Sequence, residues 1–119
     1  MATADKLKQM GQRLLQGSKD IALQGTPEKL SSIDLWVTDL LVFAKSTNSG
    51  SNFYVAFSQA AAVNSSGLGI RLNGLDVYKI KGDLDRNQQS YFNLADIWVD
   101  VDVNTDGVGF QYVIAKGNG

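Results

Sequence analysis

The sequence predicts an all-β fold, an antiparallel β-sandwich of Ig-like or jelly-roll-like topology with a short N-terminal α-helical arm. After Gly17, short apolar runs are separated by clusters of Gly, Asn, Ser and Asp, which is typical of many short strands joined by turns. Several of these runs alternate apolar and polar residues, as half-buried antiparallel strands do. A chain of 119 residues, 44% of them hydrophobic, can bury one modest core. We therefore expect one sandwich domain over residues 18–119 and an arm over residues 1–17.

The arm is predicted from a helical stripe of apolar residues. The stripe repeats at i, i+3, i+7 and i+8 and consists of Leu7, Met10, Leu14 and Leu15. Thr3 can cap the start of this helix and Gly17 can end it, which places the helix at residues 4–16. A helix this short is marginal alone in water, so its stripe must dock on its own domain or on a partner subunit. These four residues are the candidate partner-binding residues.

The predicted strands follow in chain order. A brief strand is expected at residues 21–23, then a turn at Gly25-Thr26-Pro27. Strand character is strongest over residues 37–44, and "FYVAF" at 53–57 is aromatic and β-branched. The segment from 58 to 69 is interpreted as a loop with at most a weak edge strand. Asn73-Gly74 favours a turn, and a further strand is expected through residues 77–80.

The C-terminal region predicts a β-hairpin. Two apolar sets alternate with polar residues on either side of a short connection: Ile97, Val99, Val101 and Val103, then Val108, Phe110, Tyr112 and Ile114. The connection Asn104-Thr105-Asp106-Gly107 suits a type I turn in which Gly107 adopts the left-handed conformation. These strands are expected to pair with each other.

The same connection admits a second interpretation, a calcium loop. Asp102, Asn104 and Asp106 have the spacing of the first ligands of an EF-hand loop, and Gly107 stands at its sixth position. The bidentate carboxylate required at the twelfth position is replaced by Val113, and the flanks are predicted strands instead of helices. The hairpin needs no ion, so we favour it and expect no metal site.

Composition excludes several classes of function. The chain has no histidine and no cysteine, which removes the commonest general base, thiolate nucleophiles and Cys-based zinc sites. A net charge of −1 argues against binding to nucleic acid or to an anionic membrane. No signal peptide and no membrane-spanning run are apparent. We expect no enzymatic activity, no catalytic residues and no cofactor, and synthesis in the cytoplasm.

Aromatic residues keep a different function open. If exposed together, they could stack on sugar rings. The candidates are Trp36, Trp98, Tyr54, Tyr78, Tyr91 and Tyr112. In a small sandwich such residues more often fill the core or an interface, so carbohydrate or receptor binding is the alternative hypothesis.

Residues 25–115 resemble a group of small virion proteins of tailed bacteriophages. The resemblance rests on the succession "GTPEKLSS", "LLVFAKSTNSGSNFYVAF", "GIRLNGLDVYKI" and "NLADIWVDVDVNTDGVGFQYVI". The sequence departs from that pattern at Ala56, where a Gly often follows the "YV" strand, and in its N-terminal helical stripe. The resemblance implies a β-sandwich that decorates or cements a capsid and carries no catalytic residues.

A role in decorating or cementing a capsid implies partners on the virion. The chain would bind the major capsid protein or neighbouring virion subunits on the capsid surface, as a symmetric homo-oligomer such as a trimer. The alternative is a carbohydrate- or receptor-binding module of a phage tail or fibre.

Overall fold

The computed structural model describes residues 13–81, 84–85, 88–89 and 91–114. The strands are β1 (Arg13–Asp20), β2 (Glu28–Lys29), β3 (Trp36–Ala44), β4 (Asn52–Ala56), β5 (Ile70–Asn73), β6 (Val77–Lys81), β7 (Leu84–Asp85), β8 (Gln88–Gln89), β9 (Phe92–Asn93), β10 (Trp98–Val101) and β11 (Gly107–Ile114). A short helix, α1 (Gln59–Ala62), and a 3-10 turn (Leu94–Asp96) complete the described elements.

Two antiparallel sheets form the body of the molecule, which confirms the predicted all-β class. The first sheet has the order β1-β11-β3-β6, and β9 also pairs with the start of β3. The second sheet has the order β2-β10-β4-β5, and β7 and β8 pair only with each other. Consecutive strands often lie in different sheets, so the chain crosses repeatedly between them.

One hydrophobic core is shared by the two sheets. In β3, the buried Leu40 and Val42 alternate with the partly exposed Leu41 and Phe43, as the two-residue period of a strand requires. The core residues of the central strands are Val37, Leu40 and Val42 of β3, Phe53 and Val55 of β4, Val99 and Val101 of β10, and Val108 and Phe110 of β11. Burial of these side chains is the main favourable contribution to folding.

A β-bulge interrupts this alternation near the start of β3. Asp39 pairs with Val113 but Val37 pairs with Ile114, so Thr38 is the extra residue. Val37 and Thr38 are therefore both buried. The Thr38 hydroxyl donates to the Asp39 carboxylate at 3.1 Å, which gives this buried polar group a partner.

The predicted helix over residues 4–16 is wrong where the structure describes the chain. Residues 13–16 belong to β1, which pairs antiparallel with β11 from Arg13↔Ile114 to Asp20↔Gly107. The boundary predicted after Gly17 therefore falls inside a strand. Residues 4–12 lie outside the described residues. Gly17 does not end a helix; instead the Phe110 ring occupies the space of its missing side chain, 2.8 Å from an added Cβ.

The predicted C-terminal hairpin is also wrong. Both strands exist, but β10 pairs with β2 and β4 in the second sheet, whereas β11 pairs with β1 and β3 in the first. The connection between them is a corner between sheets. Its turn is closed by the Asp106 N–H, which donates to the Val103 carbonyl at 3.1 Å.

The positive φ in this corner belongs to Thr105, at 70°, and not to Gly107 as predicted. This conformation is uncommon for a β-branched residue. Gly107 is required for another reason: a Cβ there would overlap the Lys19 carbonyl and the Asp20 carboxylate of β1.

Two smaller expectations also differ from the structure. The segment predicted as a loop at 58–69 contains α1, whose start is capped by the Ser58 hydroxyl accepting from the Ala61 N–H. The strand expected at 21–23 is absent from the described elements. In its place, the Thr26 N–H donates to the Leu23 carbonyl at 3.0 Å, and Gly25 adopts φ 82° in that turn.

Candidate functional site

The side chains that match calcium ligands in sequence accept hydrogen bonds from donors of the same chain. The Asp102 carboxylate accepts hydrogen bonds from the Tyr54 hydroxyl at 2.9 Å and from the Asn52 amide at 3.1 Å. The Asn104 side-chain oxygen accepts from the Gln24 N–H at 2.9 Å. Each side chain therefore contacts a different segment of the chain.

Asp106 ties the β3–β4 loop to the corner. Its buried carboxylate accepts from the Ser49 N–H at 2.8 Å and from the Gly50 N–H at 2.7 Å. Asn48 adds two bonds to the backbone of Gly107, one donated and one accepted, both at 2.8 Å. The loop after β3 is thereby fixed against the start of β11.

Asp100 is the carboxylate that sequence analysis missed. It lies on the predicted polar face of β10 but is fully buried, at 0% exposure. It accepts from three backbone N–H groups: Asn64 at 2.7 Å, Val101 at 2.8 Å and Gly25 at 3.0 Å. No sequence signal distinguishes it from a solvated aspartate, because the loops that cover it come from distant parts of the chain. We call Asp100, Asp102 and Asp106 the acidic corner.

Tyr54 lies opposite Asp100 in the second sheet and contacts Asp102. Burial, and then the hydrogen bond that its hydroxyl donates to Asp102, raise the pKa of Tyr54 above its ordinary value of 10.0. The phenol therefore stays protonated in the folded protein at neutral pH. It acts as a hydrogen-bond donor to a neighbouring carboxylate.

The carboxylates of the acidic corner act as hydrogen-bond acceptors that stabilise the fold. Its carboxylates accept hydrogen bonds from backbone or side-chain donors of the same chain, and such charge-assisted bonds are the stronger ones in proteins. Within residues 13–81, 84–85, 88–89 and 91–114, no group of three or more His, Cys, Asp or Glu residues is placed to hold a metal ion. The corner holds loops in place.

The predicted partner-binding residues are only partly described. Leu14 and Leu15 lie in β1, opposite Val113 and Tyr112. Both residues have strand backbone, so they do not form part of a helix. Leu7 and Met10 lie outside the described residues. The role of all four in partner binding stays a prediction.

The aromatic residues divide into two groups. Tyr54 is buried, Tyr78 and Tyr112 pack against the core, and the Trp98 ring lies 5.5 Å below the Lys29 ammonium group. Trp36 and Tyr91 are instead 46% and 49% exposed.

The two exposed aromatics lie near each other along the first sheet. Trp36 pairs with Asn93, and Tyr91 precedes Asn93 by two residues. Tyr91 therefore lies immediately before β9, the strand that pairs with Trp36.

A shallow apolar groove lies beside the edge strand β5. It has a volume of about 370 Å³. Its lining residues are Val55, Ala56, Phe57, Ser58, Ala61, Leu68 and Ile70. Phe57 and Leu68 are 59% and 78% exposed, and clustered exposed apolar side chains are typical of interaction surfaces.

No helix among the described residues is both long and apolar enough to cross a membrane. Comparison with protein-family models, with curated proteins and with solved structures finds no match to this chain.

Proposed function

We propose that the chain is a structural bacteriophage virion protein, a capsid decoration or cement protein that binds the coat lattice. It is made in the host cytoplasm and then lies on the capsid surface. The observation that carries this proposal is the acidic corner, where the buried Asp100 and Asp106 and the partly exposed Asp102 join distant segments instead of forming an open reactive site. The hydrogen bonds of the acidic corner favour a structural role over a catalytic one.

The finer fold belongs to the same proposal. The two sheets share one core, which supports a β-sandwich of Ig-like or jelly-roll-like topology. Such a body needs no cofactor and, since the chain has no cysteine, is held together without disulfides. Loops fixed by buried hydrogen bonds present a surface of constant shape, which a repeating coat lattice can recognise.

Attachment is assigned to two sets of apolar residues. The first is the N-terminal segment with Leu7 and Met10, continued by Leu14 and Leu15 at the start of β1. The second is the groove beside β5, where Phe57 and Leu68 are exposed. Their partners are the major capsid protein or neighbouring virion subunits. The exposed side chains of Phe57 and Leu68 gain burial energy only at an interface.

Co-sedimentation with purified capsids of the same phage tests this function. The full-length chain is expected to sediment with the capsids, and removal of residues 1–12 should weaken the binding at least tenfold. The cut is placed at 12 because residues 13–20 belong to β1. Full-length protein that stays in the supernatant would contradict the decoration function.

A matched pair of variants isolates the apolar stripe from the charges beside it. The double variant Leu7→Ser with Met10→Ser should lose capsid binding, whereas Lys6→Ser with Lys8→Ser should retain it. Equal losses in the two would assign binding to the charges of the segment and remove the stripe from the mechanism.

Trp36 and Tyr91 support a second candidate, a carbohydrate- or receptor-binding module of a phage tail or fibre. Two exposed aromatics near each other can stack on a sugar. Under this candidate a glycan array gives defined hits. Those hits disappear in Trp36→Ala and Tyr91→Ala and persist in Trp98→Ala, whose ring already contacts Lys29.

A further inference from the structure

The outer edge of β1 carries backbone groups, in a regular order, that none of the described strands pairs with. The Ile21 N–H donates to the Asp106 carbonyl, and the Ile21 carbonyl accepts from the Thr105 N–H, both at 2.8 Å. In an antiparallel ladder the backbone groups of successive residues point to alternate sides. The N–H and C=O of Leu15, Gly17 and Lys19 therefore point to β11.

The intervening residues of β1, Leu14, Gln16, Ser18 and Asp20, direct their backbone groups away from the sheet. In the described part of the chain, β11 is the only strand paired with β1. An edge of eight residues whose outward donors and acceptors meet no described strand is a template for another strand.

The other sheet edges are protected against strand addition. β2 has only two residues and follows Pro27, which lacks an N–H. The Asn73 N–H of β5 donates to the Asp76 carboxylate at 2.9 Å. β6 carries the exposed Lys79 and Lys81, and lysines on edge strands discourage pairing. Among these edges, β1 is the longest, and its one lysine, Lys19, is only partly exposed and forms an ion pair with Glu28 at 3.2 Å.

The sequence of β1 is compatible with pairing to itself. In an antiparallel register centred on Gly17, Gln16 faces Ser18 of a second copy and Leu15 faces Lys19, so no like charges meet. A similar register of β6 would place Lys79 against Lys79. The net charge of −1 adds little long-range repulsion between two copies.

The protein surface is concave beside the centre of β1. A depression of about 380 Å³ lies there. It is lined by Gln16, Gly17, Ser18, Phe43, Gly109 and Phe110. Gly17, at the middle of the edge, adds no side chain of its own to this surface.

We propose that two copies of this chain pair through β1, antiparallel and centred on Gly17, so that their first sheets form one continuous sheet. Each outward residue then exchanges backbone hydrogen bonds with the second copy. This arrangement is isologous and closes at a dimer, which differs from the trimer expected from the resemblance. It does not depend on the virion role.

Backbone chemistry gives the first test. Ser18→Pro removes an outward N–H and leaves the bonds to β11 in place, because proline is tolerated where a strand N–H faces away from the sheet. Ser18→Ala is the control, since it removes the hydroxyl and keeps the N–H. Light scattering after gel filtration should show dimers for the wild type and Ser18→Ala, and a dissociation constant at least a hundredfold weaker for Ser18→Pro. A monomeric wild type, or equal dimerisation in all three, overturns the proposal.

Amide hydrogen exchange on the wild type provides a measurement that does not rely on a variant. The amides of Gln16, Ser18 and Asp20 should exchange quickly in dilute protein and at least tenfold more slowly in concentrated protein. The amides of Gly17 and Lys19 should be protected at both concentrations because they point to β11. Fast exchange of Ser18 in a concentrated, dimeric sample would place the interface elsewhere.

Cross-linking tests the register, because the chain contains no cysteine and an added one is unique. In the proposed register Gln16 faces Ser18 of the second copy, with a Cα separation of about 5.5 Å that suits a disulfide. A mixture of Gln16→Cys and Ser18→Cys should oxidise mainly to the mixed dimer. Homodimers of Ser18→Cys formed in preference would overturn a centre at Gly17.

Discussion

Asp100 shows how one buried carboxylate can organise three segments of the chain. It accepts from the N–H groups of Gly25, Asn64 and Val101, so the β1–β2 loop and the segment after α1 both meet on β10. A carboxylate supplies acceptor oxygens only, which matches a site made wholly of donors. An amide of the same shape does not match it.

Replacing Asp100 with asparagine should therefore destabilise the fold. Asp100→Asn puts an NH₂ group among N–H donors and is expected to cost about 2–4 kcal/mol, since hydrogen bonds to charged groups contribute more than neutral ones. The free energy of unfolding from urea titration measures this. Asp96→Asn, at an exposed position, is the control and should change it by less than about 0.5 kcal/mol. Equal stability of the two variants would mean that Asp100 does not hold these loops.

Tyr54 gives the molecule a pH dependence at alkaline pH. Its pKa in the folded protein is raised above 10.0 by burial and by Asp102, whereas the unfolded chain releases the proton at the ordinary value. Between these two values the unfolded state binds fewer protons, so stability falls as pH rises. The stability that protonated Tyr54 contributes to the folded protein is fully present below about pH 10.

The variant Tyr54→Phe lacks this ionisation and the hydrogen bond to Asp102. At about pH 8 it should be less stable than the wild type by about 1–2 kcal/mol. That difference should shrink as pH rises above about 10, because only the wild type loses stability through Tyr54. Urea unfolding over this range measures it, with the exposed Tyr91→Phe as control. A difference that is constant with pH contradicts the effect of burial.

At the scale of elements, the pairing of β1 with β11 depends on glycines that let the chains approach closely. An added Cβ at Gly107 would overlap backbone and side-chain atoms of β1, and one at Gly17 would overlap the Phe110 ring. Gly107 faces backbone atoms, which cannot move aside without opening the ladder. The close packing of β1 against β11 therefore requires glycine at these two positions.

Gly107→Ala should separate the C-terminal end of β1 from β11. The overlap is expected to cost about 3 kcal/mol, at the upper end of overpacking effects. Urea unfolding measures the loss, and faster amide exchange at Lys19 would locate it. Gly74→Ala is matched because a Cβ there meets only the Ser51 carbonyl at 3.6 Å, so its stability should change by less than about 1 kcal/mol. A fully stable Gly107→Ala would rule out the close approach.

The sequence predicts where strands lie better than it predicts which strands pair. β3 was predicted over residues 37–44 and is observed at Trp36–Ala44, because a long apolar, β-branched run specifies a strand. Leu14 and Leu15 fit a helical stripe equally well, and only pairing with β11 decides against it. Alternation in β10 and β11 gives the buried face of each strand but not its partner, so it predicted a hairpin where the chain changes sheets. Asp100 was missed for the same reason, since its burial depends on distant loops.

For the whole molecule, the position of β1 determines where the folded body begins. Residues 13–20 form one edge of the first sheet, and Phe110, which is 6% exposed, packs over Gly17. The body therefore includes residues that the sequence pattern assigned to an arm. Trimming the chain on either side of residue 13 should have different consequences.

Removal of residues 1–12 keeps β1 whole, whereas removal of residues 1–17 deletes the part of β1 that covers Phe110 and pairs with the end of β11. The longer deletion loses the backbone hydrogen bonds of Leu15 and Gly17 to β11 and exposes part of the core. Each bond contributes about 1 kcal/mol and the exposed ring adds to the loss, so we expect at least about 3 kcal/mol. In a domain of this size that lowers Tm by about 12 °C or more. Calorimetry of the two truncated chains measures the difference directly. Equal Tm values would mean that residues 13–17 add nothing to the stability of the body and would restore a boundary after Gly17.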